Sequence, residues 1–262
     1  MLKKQRLYIS ALLISSTFCA NATTNQSNEI KLSFIGDSES QAFLGVQQGL
    51  DEANAQGKFL GQVYSLTTTP SSSIAIFAAM DAKEISQLSK LYPNKVIFNL
   101  TEEDDDLRVD CFTNVLHTIP SQAMKYDAKA QWQKKNPSSA ANAQTWHHSF
   151  KKYAAGQLNS RFTQSTDQKM TNTAWAGWAA VKLLSDSLAR NKLTDTTNLL
   201  KFFKTELAFD GQKGMSLNFR DTGQLRQPLL LVDNGKIVGE APVRGVVNTT
   251  NLDSLGLSHC PK

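Results

Sequence analysis

Segments with the length and pattern of strands alternate with helical segments through the first hundred residues of this chain. The strand-like runs are residues 30 to 35, 62 to 66, 74 to 79 and 95 to 100. Residues 38 to 57 and 81 to 92 repeat apolar side chains every three or four positions, as one face of a helix does. Strands that alternate with helices connect by right-handed crossovers, which require a parallel sheet covered on both faces. The sequence therefore predicts an α/β fold built on a doubly wound, mostly parallel sheet.

Local signals predict where individual elements begin and turn. Ser38, followed three residues later by Gln41, has the spacing of a capping box, so the first helix is expected to begin at Ser38. Asp81 is the expected cap of the second helix. Asn234 and Gly235 separate two short apolar runs, which predicts a C-terminal β-hairpin because a type I′ turn favours both residue types.

The second half of the chain is predicted to contain more helix than strand. Helices are expected over residues 121 to 135, over residues 173 to 190 and after a cap at Asp195, and a strand over residues 215 to 219. Residues 136 to 144 are polar and of low complexity, which predicts a linker.

The first 22 residues have the pattern of a secretion signal. A basic start at residues 3 to 6 precedes an apolar stretch at residues 7 to 18 and an Ala-Asn-Ala cleavage motif at residues 20 to 22. The apolar stretch is roughly 12 residues long, too short to cross about 30 Å of hydrocarbon as an uncleaved anchor. A lipoprotein signal has a small residue before its cysteine, whereas Cys19 follows Phe18. We expect cleavage after this motif and a soluble protein in the periplasm.

The formal net charge of +5 does not indicate a nucleic-acid partner. Three of the positive charges lie in the predicted signal, which leaves about +2 for the mature chain, and the remaining basic residues alternate with acidic ones. A nucleic-acid-binding protein concentrates its basic residues on one face or arm. The composition is 40% hydrophobic and 19% charged, which is typical of a soluble globular protein.

Removal of the signal leaves two cysteines, Cys111 and Cys260. In an oxidising compartment a pair of thiols is expected to form a disulfide, which here ties the middle of the chain to its last turn. Two unpaired buried thiols are the alternative.

Small and polar residues follow three of the predicted parallel strands. Ligands of an open α/β sheet bind outside the carboxyl ends of its strands, which here are residues 37 to 40, 78 to 81 and 99 to 101. The first helix is expected to present unsatisfied N–H groups and a positive dipole end at the same edge, where a ligand carboxylate can bind. Helix caps and turns suit the same residues equally well. The candidate ligand contacts are Asp37, Ser38, Ala79 and Asn99.

One catalytic alternative begins at the same place. A strand followed by Gly36, Asp37 and Ser38 is similar to the nucleophile block of GDS-type serine esterases, in which a distant histidine activates the serine. Those enzymes need an Asp-x-x-His near the C-terminus and a Gly-x-Asn-Asp block. Here Asp253 and His259 are six residues apart, and the second block is absent from the sequence. We therefore expect no catalysis, with the esterase as a minor alternative.

No metal, nucleotide or other cofactor site is predicted. His147 and His148 are adjacent and would point to different faces of a helix, and the sequence has no His-x-x-x-His, Cys-x-x-Cys, Walker or dinucleotide-binding motif. The acidic run at residues 102 to 106, with Asp110, has the oxygen ligands that calcium or a lanthanide prefers, but not the spacing or the glycine of an EF-hand loop. We expect a solvated loop there.

Four stretches of the chain together resemble one family. They are residues 105 to 128, 161 to 184, 209 to 242 and 251 to 260, and the third contains the specific run GQLRQPLLL. They are similar to type 1 periplasmic substrate-binding proteins, the branched-chain amino acid receptor class. Within that class they resemble the branch associated with pyrroloquinoline-quinone-dependent alcohol dehydrogenase systems. The first 100 residues match this class in layout.

The resemblance implies two doubly wound lobes that close on a ligand in the cleft between them. It places Cys111 and Cys260 at the two cysteine positions of the branch, which implies that they are bonded to each other. It also places residues 117 to 121 where the chain crosses to the second lobe, so His117 and Ser121 join the candidate ligand contacts.

The resemblance also implies a shortened second lobe. Relatives have further strands and helices where this chain has a few polar residues after residue 137. The expected organisation is a signal peptide at 1 to 22, the α/β core of the first lobe at 23 to 120, a crossover with a reduced second lobe at 121 to 160, and return helices and C-terminal strands packed on the first lobe at 161 to 262.

The implied function is that of an exported substrate-binding protein that binds a small molecule without catalysis and serves an ABC-type transport or alcohol-oxidation system. The implied partners are an ABC permease or a quinoprotein alcohol dehydrogenase; no nucleic acid and no membrane span are expected after signal cleavage. The alternative is an interaction module without a ligand, which docks a periplasmic dehydrogenase or a second copy through the face left by the missing lobe. Apolar surface left uncovered over residues 120 to 160 would favour that alternative.

Overall fold

The structure is a computed structural model that describes residues 28 to 191 and 195 to 261. The predicted secretion signal, residues 1 to 22, lies outside the described residues. Within the described ranges, none of the helices combines the length and the apolar character that a membrane crossing requires.

Five strands form a parallel sheet: β1 (Asn28–Ile35), β2 (Gln62–Leu66), β3 (Ala75–Ala78), β4 (Val96–Asn99) and β5 (Val115–His117). They lie in the order β2-β1-β3-β4-β5, and every neighbouring pair is parallel. Three helices lie in the connections: α1 (Gln41–Gly57), α2 (Ala82–Leu91) and α3 (Asp106–Val109). The predicted fold class, an α/β protein with a doubly wound parallel sheet, is confirmed.

Helix α1 begins two residues later than the sequence predicted. Ser40, not Ser38, is the N-cap: its backbone is extended, and its hydroxyl accepts a hydrogen bond from the Phe43 N–H at 3.2 Å. Ser38 lies instead in a turn built by Asp37, whose carboxylate accepts the Glu39 N–H and whose carbonyl accepts the Ser40 hydroxyl. The aspartate thus closes a turn of its own before the helix can begin.

Two other local predictions are confirmed. Asp81 caps α2 in a full capping box with Glu84. Asn234 and Gly235, with φ of 47° and 72°, join β7 (Leu229–Asp233) to β8 (Lys236–Ala241) as an antiparallel hairpin.

Four further helices are α4 (Gln122–Lys135), α5 (Ala155–Thr166), α6 (Asn172–Asn191) and α7 (Thr196–Thr205). The sequence predicted three of them and missed α5. Helix α5 has no side-chain cap, and the residues at its two ends, Ala154 and Asp167, are both left-handed. Neither end therefore carries the usual sequence signal.

A three-stranded antiparallel sheet accompanies the parallel one. It has the order β6-β7-β8, where β6 is Asn142–Gln144. Strand β6 falls within residues 136 to 144, so the predicted linker is wrong for the three residues of β6. Ala143 of β6 and Ala141 just before it pack in an apolar cluster with Met124 of α4. The predicted strand at residues 215 to 219 is also wrong, because this segment makes only isolated bridges.

The two sheets share one hydrophobic core. The main apolar cluster joins the parallel sheet to α1, α5, α6 and α7, and it includes Leu230 and Val232 of β7. Trp146 and Phe150, which follow β6, are buried in the same cluster. Because the small sheet completes this core, it cannot swing away as a rigid lobe without exposing closely packed apolar side chains.

Glycines bring α1 and α6 into close contact. A Cβ atom on Gly45 would lie 1.9 Å from the Ala174 carbonyl oxygen, and one on Gly177 would lie 2.4 Å from the Ala42 carbonyl oxygen. Backbones this close leave no room for a side chain between them. This contact fixes the position of α1 and therefore of its N-terminus.

Candidate functional site

The carboxyl ends of β1, β3, β4 and β5 line up along one edge of the parallel sheet. The register pairs Ile35 with Ala78, Ala78 with Asn99, and Asn99 with His117. We call this edge the strand-end rim. The predicted contacts at or just after the ends of these strands are Asp37, Ser38, Ala79, Asn99 and His117.

The open half of the rim consists of the turns after β1 and β3, residues 36 to 40 and 79 to 81. Asp37 and Ser38 are exposed to solvent, and Ala79 is half-buried. The Ala79 N–H donates to the last carbonyl of β1 at 2.8 Å, which holds the two turns side by side. This half of the rim therefore presents a carboxylate and a hydroxyl to solvent.

Helix α1 begins in the open half, directly after the turn that Asp37 forms. Its first turn contains no acidic side chain, whereas the first turn of α2 contains Glu84. The N-terminus of a helix is equivalent to about half a positive charge. The Asp37 carbonyl accepts the hydroxyl of the N-cap, Ser40. The carboxylate of Asp37 therefore lies near the positive end of the helix.

The closed half of the rim consists of the ends of β4 and β5, where the side chains are buried. Asn99 is fully buried, and its amide oxygen accepts the N–H groups of Thr101 and Glu102. Its amide nitrogen donates to the Glu102 carbonyl and to Nδ1 of His117. All hydrogen-bonding positions of Asn99 are therefore used, and the side chain holds the loop after β4.

His117 is neutral and fixed in one tautomer. Since two backbone N–H groups occupy the Asn99 oxygen, the Asn99 nitrogen is the donor to Nδ1, which leaves the imidazole proton on Nε2. Burial, followed by the positive charges of Arg108 and Lys204, lowers the pKa of His117 well below its usual value.

The stability of the protein is expected to fall below pH 6.5 because of His117. The unfolded chain protonates this histidine near pH 6.5, whereas the folded chain does so only at a much lower pH. Stability is therefore lost as the pH falls below 6.5, by about 1.4 kcal/mol per pH unit. In denaturation curves at pH 7 and pH 5, His117→Gln, which keeps an acceptor for Asn99, should remove about 2 kcal/mol of the loss seen in the wild type. The same pH dependence in both proteins would contradict this assignment.

Ser121 is used by the fold as a helix cap. It is buried, and its hydroxyl accepts the Met124 N–H at 3.2 Å as the N-cap of α4. At the same helix end, the Asp105 carboxylate accepts the Ala123 N–H at 3.0 Å. The N-terminus of α4 thus already has a carboxylate from its own chain.

The acidic run at residues 102 to 106 is not the solvated loop that the sequence predicted. Glu103 forms an ion pair with Lys125 of α4, and Asp105 caps the same helix. The carboxylates pack against α4 because that helix presents N–H groups and a lysine to them. In the part of the chain that the structure describes, no group of three His, Cys, Asp or Glu side chains is placed to hold a metal ion.

A buried arginine that sequence reasoning missed holds the closed half together. Arg108 is 1% exposed, and its Nε donates to the Gln224 side chain at 2.9 Å. Its two terminal nitrogens donate to the carbonyls of Glu102, Asp104 and Ile119. Burial lowers the pKa of Arg108 to about 10, and the acidic run opposes that shift, so the guanidinium stays charged at neutral pH.

A buried lysine joins the three segments that cross between the sheets, after β5, after β6 and before β7. The Lys213 side-chain nitrogen donates to the Thr145 carbonyl at 2.7 Å and to the Gln227 side chain at 2.8 Å. Gln227 in turn donates to the Thr118 carbonyl at 2.8 Å. The Lys213 nitrogen also lies 4.2 Å from the centre of the Trp175 ring, and burial lowers the pKa of Lys213 well below its usual value. Hydrogen bonds of Lys213 and Gln227 therefore hold the three crossing segments together.

A disulfide ties the C-terminal tail to the loop after α3. Cys111 and Cys260 are bonded, with their Cα atoms 5.9 Å apart, so the predicted pair is confirmed. Arg220 holds the same tail, because it donates to the Leu252 carbonyl and pairs with Asp253 at 2.9 Å.

The esterase alternative lacks a base next to Ser38. His117 is buried against Asn99, and His259 lies 4.0 Å from Asp221. Within residues 28 to 191 and 195 to 261, no hydrogen bond joins Ser38 to a histidine. The exposed serine therefore has no partner to take its proton.

The architecture is that of the type 1 periplasmic binding proteins. No family model and no curated protein matches the sequence. Solved structures do match. A periplasmic ligand-binding protein of a branched-chain amino acid ABC transporter from Burkholderia xenovorans LB400 matches with a TM-score of 0.69 and 11% identity, over 80% of this chain and 95% of that chain.

Two further structures carry bound small molecules. LivJ of Streptococcus pneumoniae, a branched-chain amino acid transporter substrate-binding protein in complex with isoleucine, matches with a TM-score of 0.65 and 8% identity, over 81% of this chain and 99% of that chain. A solute-binding protein of an ABC transporter from Rhodopseudomonas palustris BisB5, in complex with 3,4-dihydroxybenzoic acid, has the same TM-score and identity over 81% of this chain and 94% of that chain. The type 1 resemblance is thus confirmed at the level of the fold.

Proposed function

We propose that this chain is an exported binding protein that binds a small molecule without catalysis in the periplasm, where it serves an ABC-type transport or alcohol-oxidation system. The fold supports a binding role, since the similar structures are named as binding proteins. The signal pattern at residues 1 to 22 supports export. The four sequence stretches support the pyrroloquinoline-quinone branch, whose partners are an ABC permease or a quinoprotein alcohol dehydrogenase.

The observation that carries this proposal is the open half of the strand-end rim. It places the exposed Asp37 and Ser38 next to the N-terminus of α1, whose first turn contains no acidic side chain. An amino acid or a related zwitterion complements both charges, with its carboxylate at the helix end and Ser38 and its ammonium at Asp37. Ala79 forms the floor between the two turns.

The remaining predicted contacts have a supporting role in this proposal. Asn99, His117 and Ser121 are buried and bonded within the fold. They position the turns of the closed half instead of touching the ligand.

In this proposal the ligand binds without closure of two lobes. Residues 121 to 160 act as the crossover and a reduced second lobe, and residues 161 to 262 return to the first lobe. Because the small sheet shares the main core, the site is preformed, which lowers the ordering cost of binding.

The interaction-module alternative is less favoured because the face in question is covered. Trp146 and Phe150 are 1% and 4% exposed in the main core. Within residues 120 to 160, the exposed large apolar side chains are Tyr126 and Tyr153, which both carry a hydroxyl. The bare apolar surface that this alternative needs is therefore absent from these residues.

Pairing of two copies through the edge strand β2 is also disfavoured. The Asn54 side chain accepts the Tyr64 N–H at 2.8 Å and donates to the Tyr64 carbonyl at 2.9 Å. These are groups that a second strand would use, so the amide blocks the middle of the edge.

Calorimetric titration of the mature protein with amino acids and alcohol-derived acids tests the proposed function. We expect at least one zwitterion to bind, and Asp37→Asn to weaken it about tenfold or more, because the variant loses a charge-assisted bond but retains the turn. Asp51→Asn removes the same charge from an exposed position further along α1 and should not change the affinity. Absence of binding, or equal affinity in Asp37→Asn, would contradict the proposal. Ester hydrolysis that Ser38→Ala abolishes would favour the esterase instead.

A further inference from the structure

A groove lies between the end of α4, strand β8 and the turns at residues 153 and 214. Its volume is about 510 Å³, within the range of small-molecule sites. Four basic side chains line it, but only one carboxylate does. None of the predicted contacts on the strand-end rim lines this groove, so it is a separate surface.

Two of the four basic side chains remain for an anion. Lys152 pairs with Glu240 at 2.6 Å, and Lys213 is used by the buried crossing. Among the described residues, the hydrogen-bond partner of the Lys135 ammonium is the Arg244 carbonyl, at 3.3 Å. Within the described ranges, no carboxylate lies within ion-pair distance of Lys135 or of the Arg244 guanidinium.

Two aromatic rings also line the groove, and each packs directly on a glycine. A Cβ atom on Gly239 would lie 2.6 Å from the Trp132 ring, and one on Gly214 would lie 2.5 Å from the Tyr153 ring. The Trp132 indole nitrogen donates to the Ser139 hydroxyl at 2.8 Å, which fixes that ring, while Tyr153 remains 48% exposed. The groove thus combines cations with flat apolar walls.

The turn that carries Tyr153 has an unusual backbone. Tyr153 and Ala154 are both left-handed, with φ of 53° and 66°. With its amide assigned in the flipped orientation, so that the nitrogen faces the two carbonyls, the Gln212 side chain donates to Tyr153 at 3.0 Å and to Ala154 at 3.2 Å. Consecutive non-glycine residues in this conformation are strained, and such strain concentrates at binding sites.

We propose that this groove binds a small aromatic carboxylate. The carboxylate binds between Lys135 and Arg244, and the ring lies against Trp132 and Tyr153. An inorganic anion would use only the charges, and an uncharged aromatic would use only the rings. This proposal does not rest on the proposed function, because the groove and the rim have no residue in common.

Titration of the mature protein with benzoate, followed by calorimetry and tryptophan fluorescence, tests this proposal. We expect benzoate to bind at least tenfold more tightly than benzyl alcohol or inorganic phosphate. The double variant Lys135→Gln and Arg244→Gln should lose tenfold or more in affinity for benzoate. The matched control, Lys83→Gln with Lys90→Gln, removes the same charge from exposed positions on α2 and should bind benzoate normally.

A second variant tests the contribution of the Tyr153 ring to binding without disturbing the fold. Tyr153→Asn removes the aromatic wall, and asparagine tolerates the left-handed backbone, so the variant should fold and bind benzoate more weakly. Absence of benzoate binding, equally tight phosphate binding, or unchanged affinity in the double variant would overturn the proposal. Asp37→Asn should leave benzoate binding intact, which distinguishes failure at the groove from failure at the rim.

Discussion

Replacement of Cys111 and Cys260 by serine is expected to lower the free energy of unfolding by about 5 kcal/mol. The two residues are 149 positions apart, and a bond that closes so long a loop removes much conformational entropy from the unfolded chain. The tail that the bond anchors also buries Leu252 and Leu255, so its release exposes further apolar surface. Urea denaturation of the double variant and the wild type at pH 7 measures the difference.

The reductant provides the control for this experiment. Reduction of the wild type should reproduce the loss seen in the double variant, and the same reductant should leave the double variant unchanged. A loss below about 1 kcal/mol would show that the Arg220 contacts and the buried leucines hold the tail without the bond.

Arg108→Met is expected to cost about 3 to 5 kcal/mol of stability. Methionine fills much of the same volume but supplies no donor, so the carbonyls of Glu102, Asp104 and Ile119 lose their partner in a buried site. The substitution also removes the positive charge of the guanidinium, which lies among the carbonyls of the acidic run. Thermal or urea unfolding of the variant measures this loss.

The matched control is an arginine at the surface, where its partner is a carboxylate. Arg161 pairs with Glu52 at 3.0 Å, but its side chain is 43% exposed. A surface pair of this kind contributes at most about 1 kcal/mol, so Arg161→Met should be nearly neutral. Equal losses in the two variants would contradict the central role of Arg108.

The parallel sheet was predictable because a buried strand can be recognised from the residues of that strand alone. Strand β2 was predicted at its observed bounds, and β3 and β4 within one residue at each end. The side chains of β3 and β4 are buried on both faces, so each of these two strands appears as a short apolar run that no helix pattern explains.

Helix starts were predictable only where a single local signal exists. Asp81 alone identified the correct cap of α2. The spacing of Ser38 and Gln41 did not identify that of α1, because Asp37 forms its own turn and moves the cap to Ser40. Ser38 and Ser40 both have the residue type of an N-cap, so the sequence alone does not show which of them caps α1.

The closed half of the rim was not predictable, because its bonds join residues that are distant in the chain. Asn99 meets His117, and Arg108 meets Gln224 across 116 positions. One local signal was present: an arginine two residues after a run of five acids is expected to draw those acids into a network. The sequence thus placed Asn99 on the rim but did not show that its amide is fully used.

The location of a bound amino acid tests the central claim most directly. Backbone amide shifts of the isotope-labelled mature protein, recorded by nuclear magnetic resonance as the amino acid found to bind by calorimetry is added, show which residues it touches. If the amino acid binds at the open half of the strand-end rim, we expect the shifts to be concentrated in residues 36 to 41 and 79 to 81. We expect no domain-wide change, because the shared core prevents closure. Shifts confined to other surfaces, or a global change that reports closure of two lobes, would contradict it.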